Sequence, residues 1–478
     1  MAHAGFCRPL QPRTGATMDR RVTPEAPAPN PLLYAPILPT LIRLAMPNLA
    51  AMLMTALVAI AETAYVGILG TAQLAAIALV FPMIMLMQML SSGAMGGGVS
   101  SAVSRALGAG DRNRANLLAV HALVIGASAG VVFSIAFITF ARPIFRILGG
   151  VGPVLDHAVV YASIALVGTI VIWLANTLAS IVRGTGNMRV PSFALFSASL
   201  LQVAIGGTFG LGIGPIPRFG LAGVASGLVC GYAVATVFLA WFLWSGRLPV
   251  RLRLRPVPLQ RNMFLDILKV GAVAAFSPLQ SVLTVLILTA FVARFGTEAL
   301  AGYGIGARLE FLLVPIAFAV GVACVPMVGM AIGAQDVARA RRVAWTGGAV
   351  AAAALGLIGG FVSLLPDLWA APFTNDPAVR AAASLYLHFA GPSYAFVGLG
   401  LCLYFSSQGA GKVLGPVLAA TVRLATIAIG GAVLAWISAP LWAMFALVGV
   451  SLAAYGLATA GVVYATPWGG QRLARSAR

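Results

Sequence analysis

Long apolar runs alternate with short polar breaks along the chain. Runs of about 20 apolar residues are long enough to cross a bilayer as helices. About twelve follow one another, near 41–69, 73–104, 115–140, 155–182, 190–213, 220–244, 264–293, 299–332, 342–365, 379–406, 414–437 and 441–464. The breaks carry turn chemistry, as in Gly108-Ala-Gly-Asp111, Gly149-Gly-Val-Gly-Pro153, Gly214-Pro-Ile-Pro217, Thr374-Asn-Asp-Pro377 and Gly409-Ala-Gly411. Prolines inside the runs, at Pro47, Pro82, Pro278, Pro315, Pro326 and Pro392, predict kinks. The pattern predicts an all-α polytopic membrane protein.

Composition agrees. Of 478 residues, 60% are hydrophobic and only 9% charged, with a mean hydropathy of +0.98. A soluble domain carries about 25% charged residues. The net charge of +19 would suit nucleic-acid binding in a soluble protein. Here the arginines lie between the apolar runs, so no nucleic-acid partner is expected and the charge sets membrane orientation instead. With the helices numbered, most of the 30 Lys+Arg fall on one side. The other side receives Arg142, Arg146, Arg218, Arg294 and Arg380, while Arg308 and Arg423 lie inside spans. Positive residues mark the cytoplasmic face, so both termini are expected inside, in a bacterial-type inner membrane.

The chain repeats itself. Gly184-Thr-Gly-Asn187, Tyr161 and Pro191 recur at one interval as Gly409-Ala-Gly-Lys412, Tyr386 and Pro416. Leu107-Gly-Ala-Gly-Asp111 recurs likewise as Ile332-Gly-Ala-Gln-Asp336, and Gly70-Thr-Ala-Gln-Leu-Ala75 as Gly296-Thr-Glu-Ala-Leu-Ala301. Each half then holds six helices, an even number, so both halves start on the same side. They are expected to be two six-helix lobes with pseudo-two-fold symmetry along the membrane normal, facing each other across a cleft suited to alternating access. The expected organisation is a disordered cytoplasmic tail over 1–40, an N-terminal lobe over 41–246 and a basic cytoplasmic linker over 247–262. A C-terminal lobe over 263–466 and a basic cytoplasmic tail over 467–478 complete it.

Candidate chemistry is sparse. Among eleven Asp+Glu, only Glu62 and Glu310 lie deep inside apolar spans. Ionisable groups at membrane depth are expensive and mark functional sites. A carboxyl group removed from water sheds its desolvation cost by taking up a proton, so Glu62 is a candidate to gain and lose one. Tyr65 shares its helical face. Asn176 and Gln202, polar groups inside apolar runs, are candidate partners, with interhelical hydrogen bonding as the plainer reading. Arg308 and Glu310, two apart, do not face each other on a helix. A buried ion pair between Glu310 and Arg423 is expected there; an unpaired Glu310 would be a second proton or cation site. Gly93 with Gly97, and Gly223 with Gly227 and Gly231, form smooth faces for close helix packing. Cys7, Cys230, Cys324 and Cys402 make no metal or redox motif, and His3, His121, His157 and His388 sit apart. No metal, cofactor or catalytic residue is expected. The Gly96-Gly-Gly98 run lacks the ending of a phosphate loop, so energy is expected from an ion gradient.

Over roughly 41–465 the chain resembles the MATE (multidrug and toxic compound extrusion) family. The residues that carry the resemblance are Pro47, Glu62-Thr-Ala-Tyr-Val-Gly67, Gly70 with Leu74-Ala-Ala76, Leu107-Gly-Ala-Gly-Asp111, Arg183-Gly-Thr-Gly-Asn187 and their echoes in the second half. The resemblance implies ion-coupled export of cationic or amphipathic small molecules by a monomer in the lipid bilayer, with Glu62 in the place of a helix 1 acid. Many members of that family carry a helix 7 Glu where Gln280 or Ser281 stands, and some carry a helix 5 Asn and Asp where Gln202 and Gly206 stand. The ionisable centre is therefore expected in the N-terminal half, as in the DinF-like branch. A proton is the expected coupling ion, with sodium as the alternative. A lipid or lipid-linked-precursor flippase of the same broad fold and, more remotely, an intramembrane transferase are the competing readings. The charge bias predicts that a C-terminal phosphatase fusion is silent and a cytoplasmic reporter there is active; the reverse result overturns the orientation.

Overall fold

The computed structural model describes residues 30–252 and 258–469. Twelve membrane-crossing elements account for nearly all of them. They are α1 (Ile37–Leu69), α2 (Thr71–Gly108), α3 (Arg112–Ile147), α4 (Gly152–Val167 continued by Thr169–Gly184), α5 (Arg189–Leu211) and α6 (Leu221–Trp244). The second half holds α7 (Arg261–Phe295), α8 (Thr297–Gly333), α9 (Val337–Leu364), α10 (Pro377–Ala410), α11 (Leu414–Trp436) and α12 (Leu441–Ala465).

The repeat is conformational as well as compositional. Asp111 caps α3 by accepting from Arg114 N at 2.8 Å, and Asp336 caps α9 by accepting from Arg339 N at 2.8 Å. The residue before each cap is left-handed, Gly110 at φ 78° and Gln335 at φ 63°. Glycine adopts that geometry freely, whereas Gln335 carries the steric cost of its Cβ there. The prolines behave unevenly. Helices α1 and α8 run continuously through Pro47, Pro315 and Pro326, while Pro392 sits in a 3₁₀ turn, Gly391–Ser393, within α10. The sharpest bend, 45°, falls in α4 at Gly168, where no proline stands. Val229 of α6 packs closely on that glycine. In α2 the helix loosens into a π-helical stretch, Met89–Met95, just before the three glycines.

Two apolar clusters at one end of the bundle keep the halves apart: their buried members come from the first half alone or the second half alone. At the other end, where Arg105, Arg112, Arg339 and Lys412 stand, the halves interlock. Leu41 and Ala45 of α1 pack among Val320, Met327 and Val343 of the second half. Met263 and Ile267 of α7 pack reciprocally among Val103, Leu118 and Leu239 of the first. The first helix of each half thus crosses to the other at this basic end, which is the pseudo-two-fold symmetry expressed in packing.

The tail expected over 1–40 does not reach residue 40. Asn30 caps a short helix, Pro31–Tyr34, and α1 begins at Ile37. Leu32 is buried, and Arg339 donates to the carbonyls of Leu32 (3.0 Å) and Ala35 (2.6 Å). The proline-rich composition hid this, because the anchor is contributed by α9. Residues 1–29, residues 253–257 of the expected linker and residues 470–478 lie outside the described residues. The rest of the linker packs on α3, with Arg251 N donating to Asn116 Oδ1 (2.8 Å) and Gln260 N to His121 Nε2 (2.8 Å). Cys324 and Cys402, far apart in sequence, are both buried with their sulfurs 3.7 Å apart.

The α6 glycine face lies on α5. A side chain at Gly223 would meet the Phe209 backbone, one at Gly227 the Gly206 nitrogen and Gln202 carbonyl, and one at Gly231 the Ala198 carbonyl. Gly227→Leu should therefore lower the melting temperature of the detergent-purified protein, overpacking costing about 1–3 kcal/mol. Gly461→Leu, with nothing within 4 Å of its Cβ, is the control and should melt like the parent. Equal melting of all three would refute the close α5–α6 contact.

Candidate functional site

Glu62 lies on the upper part of α1, well above the stretch that crosses to the second half. Gln202 of α5 reaches it: Gln202 Nε2 donates to Glu62 Oε1 at 2.7 Å, and Gln202 is buried. Tyr65, one turn along α1, is also buried and lies beside the same carboxylate. Its hydroxyl has no hydrogen-bond partner among the described residues. Tyr161 of α4 is buried in the same apolar cluster as Tyr65. Thr63 takes no part, since its hydroxyl bonds to Ala59 O of its own helix at 2.7 Å.

Gly206 explains the shape of the pocket. A Cβ there would lie 3.0 Å from the Tyr65 hydroxyl and 3.3 Å from Val224 O. The place where the resemblance sets a second acid is thus occupied in space by the tyrosine. Gln202 and Tyr65 are two of the residues expected around Glu62, and the structure brings all three together.

Asn176 is not among them. Its Nδ2 donates to Ser91 Oγ at 2.8 Å, and its carbonyl accepts from Ser180 Oγ at 2.7 Å. It ties α4 to α2, where the π-helical stretch turns Ser91 toward it. Nearby, Tyr232 of α6 donates to Gln88 Oε1 at 3.0 Å. This second polar cluster of Gln88, Ser91, Asn176 and Tyr232 was not recognised as a unit in the sequence, although Gln88 and Tyr232 are themselves polar interruptions of apolar runs.

In the second half, the ion pair expected between Glu310 and Arg423 does not form among the described residues. Glu310 accepts from the Tyr386 hydroxyl instead. The reason is steric. Gly306, one turn before Glu310 on α8, leaves room for the Tyr386 ring to lie directly on the helix. Tyr303 packs edge-on against that ring at 5.4 Å and Phe445 at 5.2 Å, while Tyr394 lies beside the carboxylate. Arg308 points away, its guanidinium 5.5 Å from the centre of the Phe373 ring. The Nε atoms of Arg423 and of the buried Arg183 have no hydrogen-bond partner among the described residues. Among those residues, too, no three His, Cys, Asp or Glu side chains converge as metal ligands. Each half thus buries the repeat-related tyrosine, Tyr161 or Tyr386, in its own apolar cluster, and Tyr386 donates to the half-buried Glu310.

The MatE family model matches residues 47–207 and 274–437. The chain is similar to the FAD transporter of Shewanella oneidensis, 24% identical over 56% of this chain and 59% of that protein. It is similar to the probable multidrug resistance protein YoeA of Bacillus subtilis, 25% identical over 56% of this chain and 58% of that protein. It thus spans less than two thirds of the length of either relative. Among solved structures, a MOP superfamily transporter from Pyrococcus furiosus superposes with a TM-score of 0.84 at 22% identity, covering 92% of this chain and 100% of that one. With both halves matched by the family model and the fold shared over nearly the whole length, this chain belongs to the MATE family of membrane transporters.

Proposed function

We propose that the protein exports organic cations or other amphipathic compounds in exchange for protons, by alternating access, with Glu62 as the group that is loaded and unloaded. The observation that carries this reading is the Gln202 amide donating to Glu62, with the Tyr65 hydroxyl at its side. The Gln202 amide offers the carboxylate a hydrogen-bond donor. A sodium ion needs several oxygen ligands around it, whereas a proton needs only the carboxylate itself. When Glu62 is ionised it holds a cationic substrate or the Gln202 donor; when protonated it is neutral and releases the cation. Glu310, held by a tyrosine and not by an arginine, is a second site of the same kind. The names of relatives support export, among them YoeA and the multidrug export protein MepA of Staphylococcus aureus. The basic end, by its charge, is assigned to the cytoplasm of a bacterial inner membrane.

A second reading, transport of an anionic compound, is favoured by Arg183 and Arg423, two guanidiniums inside the bundle without ion pairs among the described residues. It is favoured also by the relative named a FAD transporter.

The test is efflux from proteoliposomes with a pH gradient or a sodium gradient imposed separately, using an organic cation or FAD as cargo. Wild-type efflux of the cation should follow the pH gradient. Glu62→Gln should insert normally and fall to the rate of protein-free vesicles, and Glu62→Asp should keep part of the rate. Gln202→Ala should slow transport about tenfold, since a hydrogen bond to a charged group contributes about 1.5–3 kcal/mol. Wild-type rates in Glu62→Gln discard the site. Efflux driven by sodium alone at symmetric pH discards the proton, and gradient-driven FAD efflux without cation efflux selects the second reading.

A further inference from the structure

At the basic end a single acid of α7, Asp266, stands between two arginines of the first half. Arg114 Nη2 of α3 lies 2.6 Å from Asp266 Oδ2, and Arg105 Nη2 of α2 lies 3.5 Å from Oδ1. The three side chains retain 28%, 15% and 29% of their exposure, so water screens the pairs only in part. Arg105 also donates to Gly409 O of α10 at 3.5 Å and to the Ser101 hydroxyl. Ser101 in turn reaches Gln408 O and, at 3.2 Å, Gly409 O. Apart from Arg105 to Ser101, every one of these bonds crosses from one half to the other. The remaining two of the four ion pairs among the described residues, Arg142–Asp156 and Arg380–Asp367, are more exposed and stay within one half.

Beneath the ionic layer the backbones touch. A side chain at Gly108 would run into Met330 O, and one at Gly333 into Arg105 O. Helices α2 and α8 are thus in backbone contact at this end. The repeat gives the clasp a counterpart. Arg114 stands three residues after the cap Asp111, and Arg339 three residues after the cap Asp336. Arg114 grips α7, the helix by which the second half crosses to the first. Arg339 grips the carbonyls of Leu32 and Ala35, just before α1, the helix that crosses the other way. One grip is ionic and the other is to neutral backbone.

We propose that Asp266, with Arg105 and Arg114, is the releasable fastening of the basic end, and that its rupture is the step that admits cargo from that side. The proposal rests on the transport reading, because only a transporter must part these halves during its cycle. The ionic grip is the one that yields. Its partners are side chains that water can re-solvate one at a time, whereas the Arg339 grip on two carbonyls is more deeply covered, Arg339 being buried. Asp266 is thus a positioning residue, which sets how much of the protein is open at each end without touching cargo.

The test reads opening directly. Ser104, fully buried against Gly329, is replaced by cysteine in a background whose native cysteines are alanine. The protein is reconstituted in phosphatidylethanolamine–phosphatidylglycerol vesicles, and a membrane-impermeant maleimide is added on the basic side with no cargo or gradient present. Asp266→Asn should raise the labelling rate about 5- to 10-fold, within the usual range of conformational coupling. Asp266→Glu should return it to the parent value, and Asp156→Asn should leave it unchanged. If Asp266→Asn does not fold, Arg114→Gln serves, with a smaller rise. Labelling of the Asn or Gln variant at the parent rate, in protein that stays monodisperse, overturns the proposal, as does an equal rise in Asp266→Glu. Because the assay needs no transport, its failure is distinct from failure of the export reading, which shows as absent wild-type efflux.

Discussion

A carboxylate inside a bilayer-spanning bundle dictates much of what surrounds it. Burying Glu62 without a donor would cost several kcal/mol. The donor is Gln202 of α5, and α5 also approaches α6 closely. That approach requires the glycines at 223, 227 and 231, because Cβ atoms there would strike the α5 backbone, including the carbonyl of Gln202 itself. The small residue at Gly206 follows from the same constraint, since it must accommodate both the Gly227 contact and the Tyr65 hydroxyl. In lipid, where apolar surface drives little association between helices, close contact and hydrogen bonds set the geometry. The glycine face of α6 and the donor to Glu62 thus meet on one helix, α5.

Much of this was legible in the sequence because it follows from solvent. Runs long enough to span, broken by turn residues, had to become helices, and the repeat of Gly184-Thr-Gly-Asn187 at Gly409-Ala-Gly-Lys412 had to mean two like halves. Glu62 and Gln202 stood out because polar groups are rare in such runs. What escaped were features fixed by packing across the bundle. Asn176 had the same credentials as Gln202, yet its azimuth on α4 turns it to Ser91. That azimuth depends on the π-helical stretch in α2 and the bend at Gly168, neither of which has a marker as plain as proline. The Glu310–Arg423 pairing failed for a similar reason. Opposite charges suggested a pair, but Gly306 admits the Tyr386 ring first, and the hydroxyl satisfies the carboxylate. The order near residues 30–36 escaped because Arg339, its anchor, belongs to the other half.

The two halves are alike in fold and unlike in mechanics. Tyr161 and Tyr386 are buried at repeat-related positions, but the half-buried acids of the two halves are carried by different helices. Glu310 is carried by α8, whose upper part packs within its own lobe. Glu62 is carried by α1, whose lower part packs among residues of the opposite lobe. Energetic coupling between distant sites needs a physical element that both sites bias. Helix α1 is continuous from Ile37 to Leu69, carries Glu62 in its upper part, and follows directly on the segment whose carbonyls Arg339 of the other half holds. Helix α8 is likewise continuous, from Thr297 through Glu310 to Gly333, and its lower part meets the first half closely, at Gly329 against Ser104 and at Gly333 against the Arg105 carbonyl. Both acids therefore stand on helices that reach the contact between the lobes, and the difference lies at the foot, where the chain just before α1 is held by Arg339 of the other half.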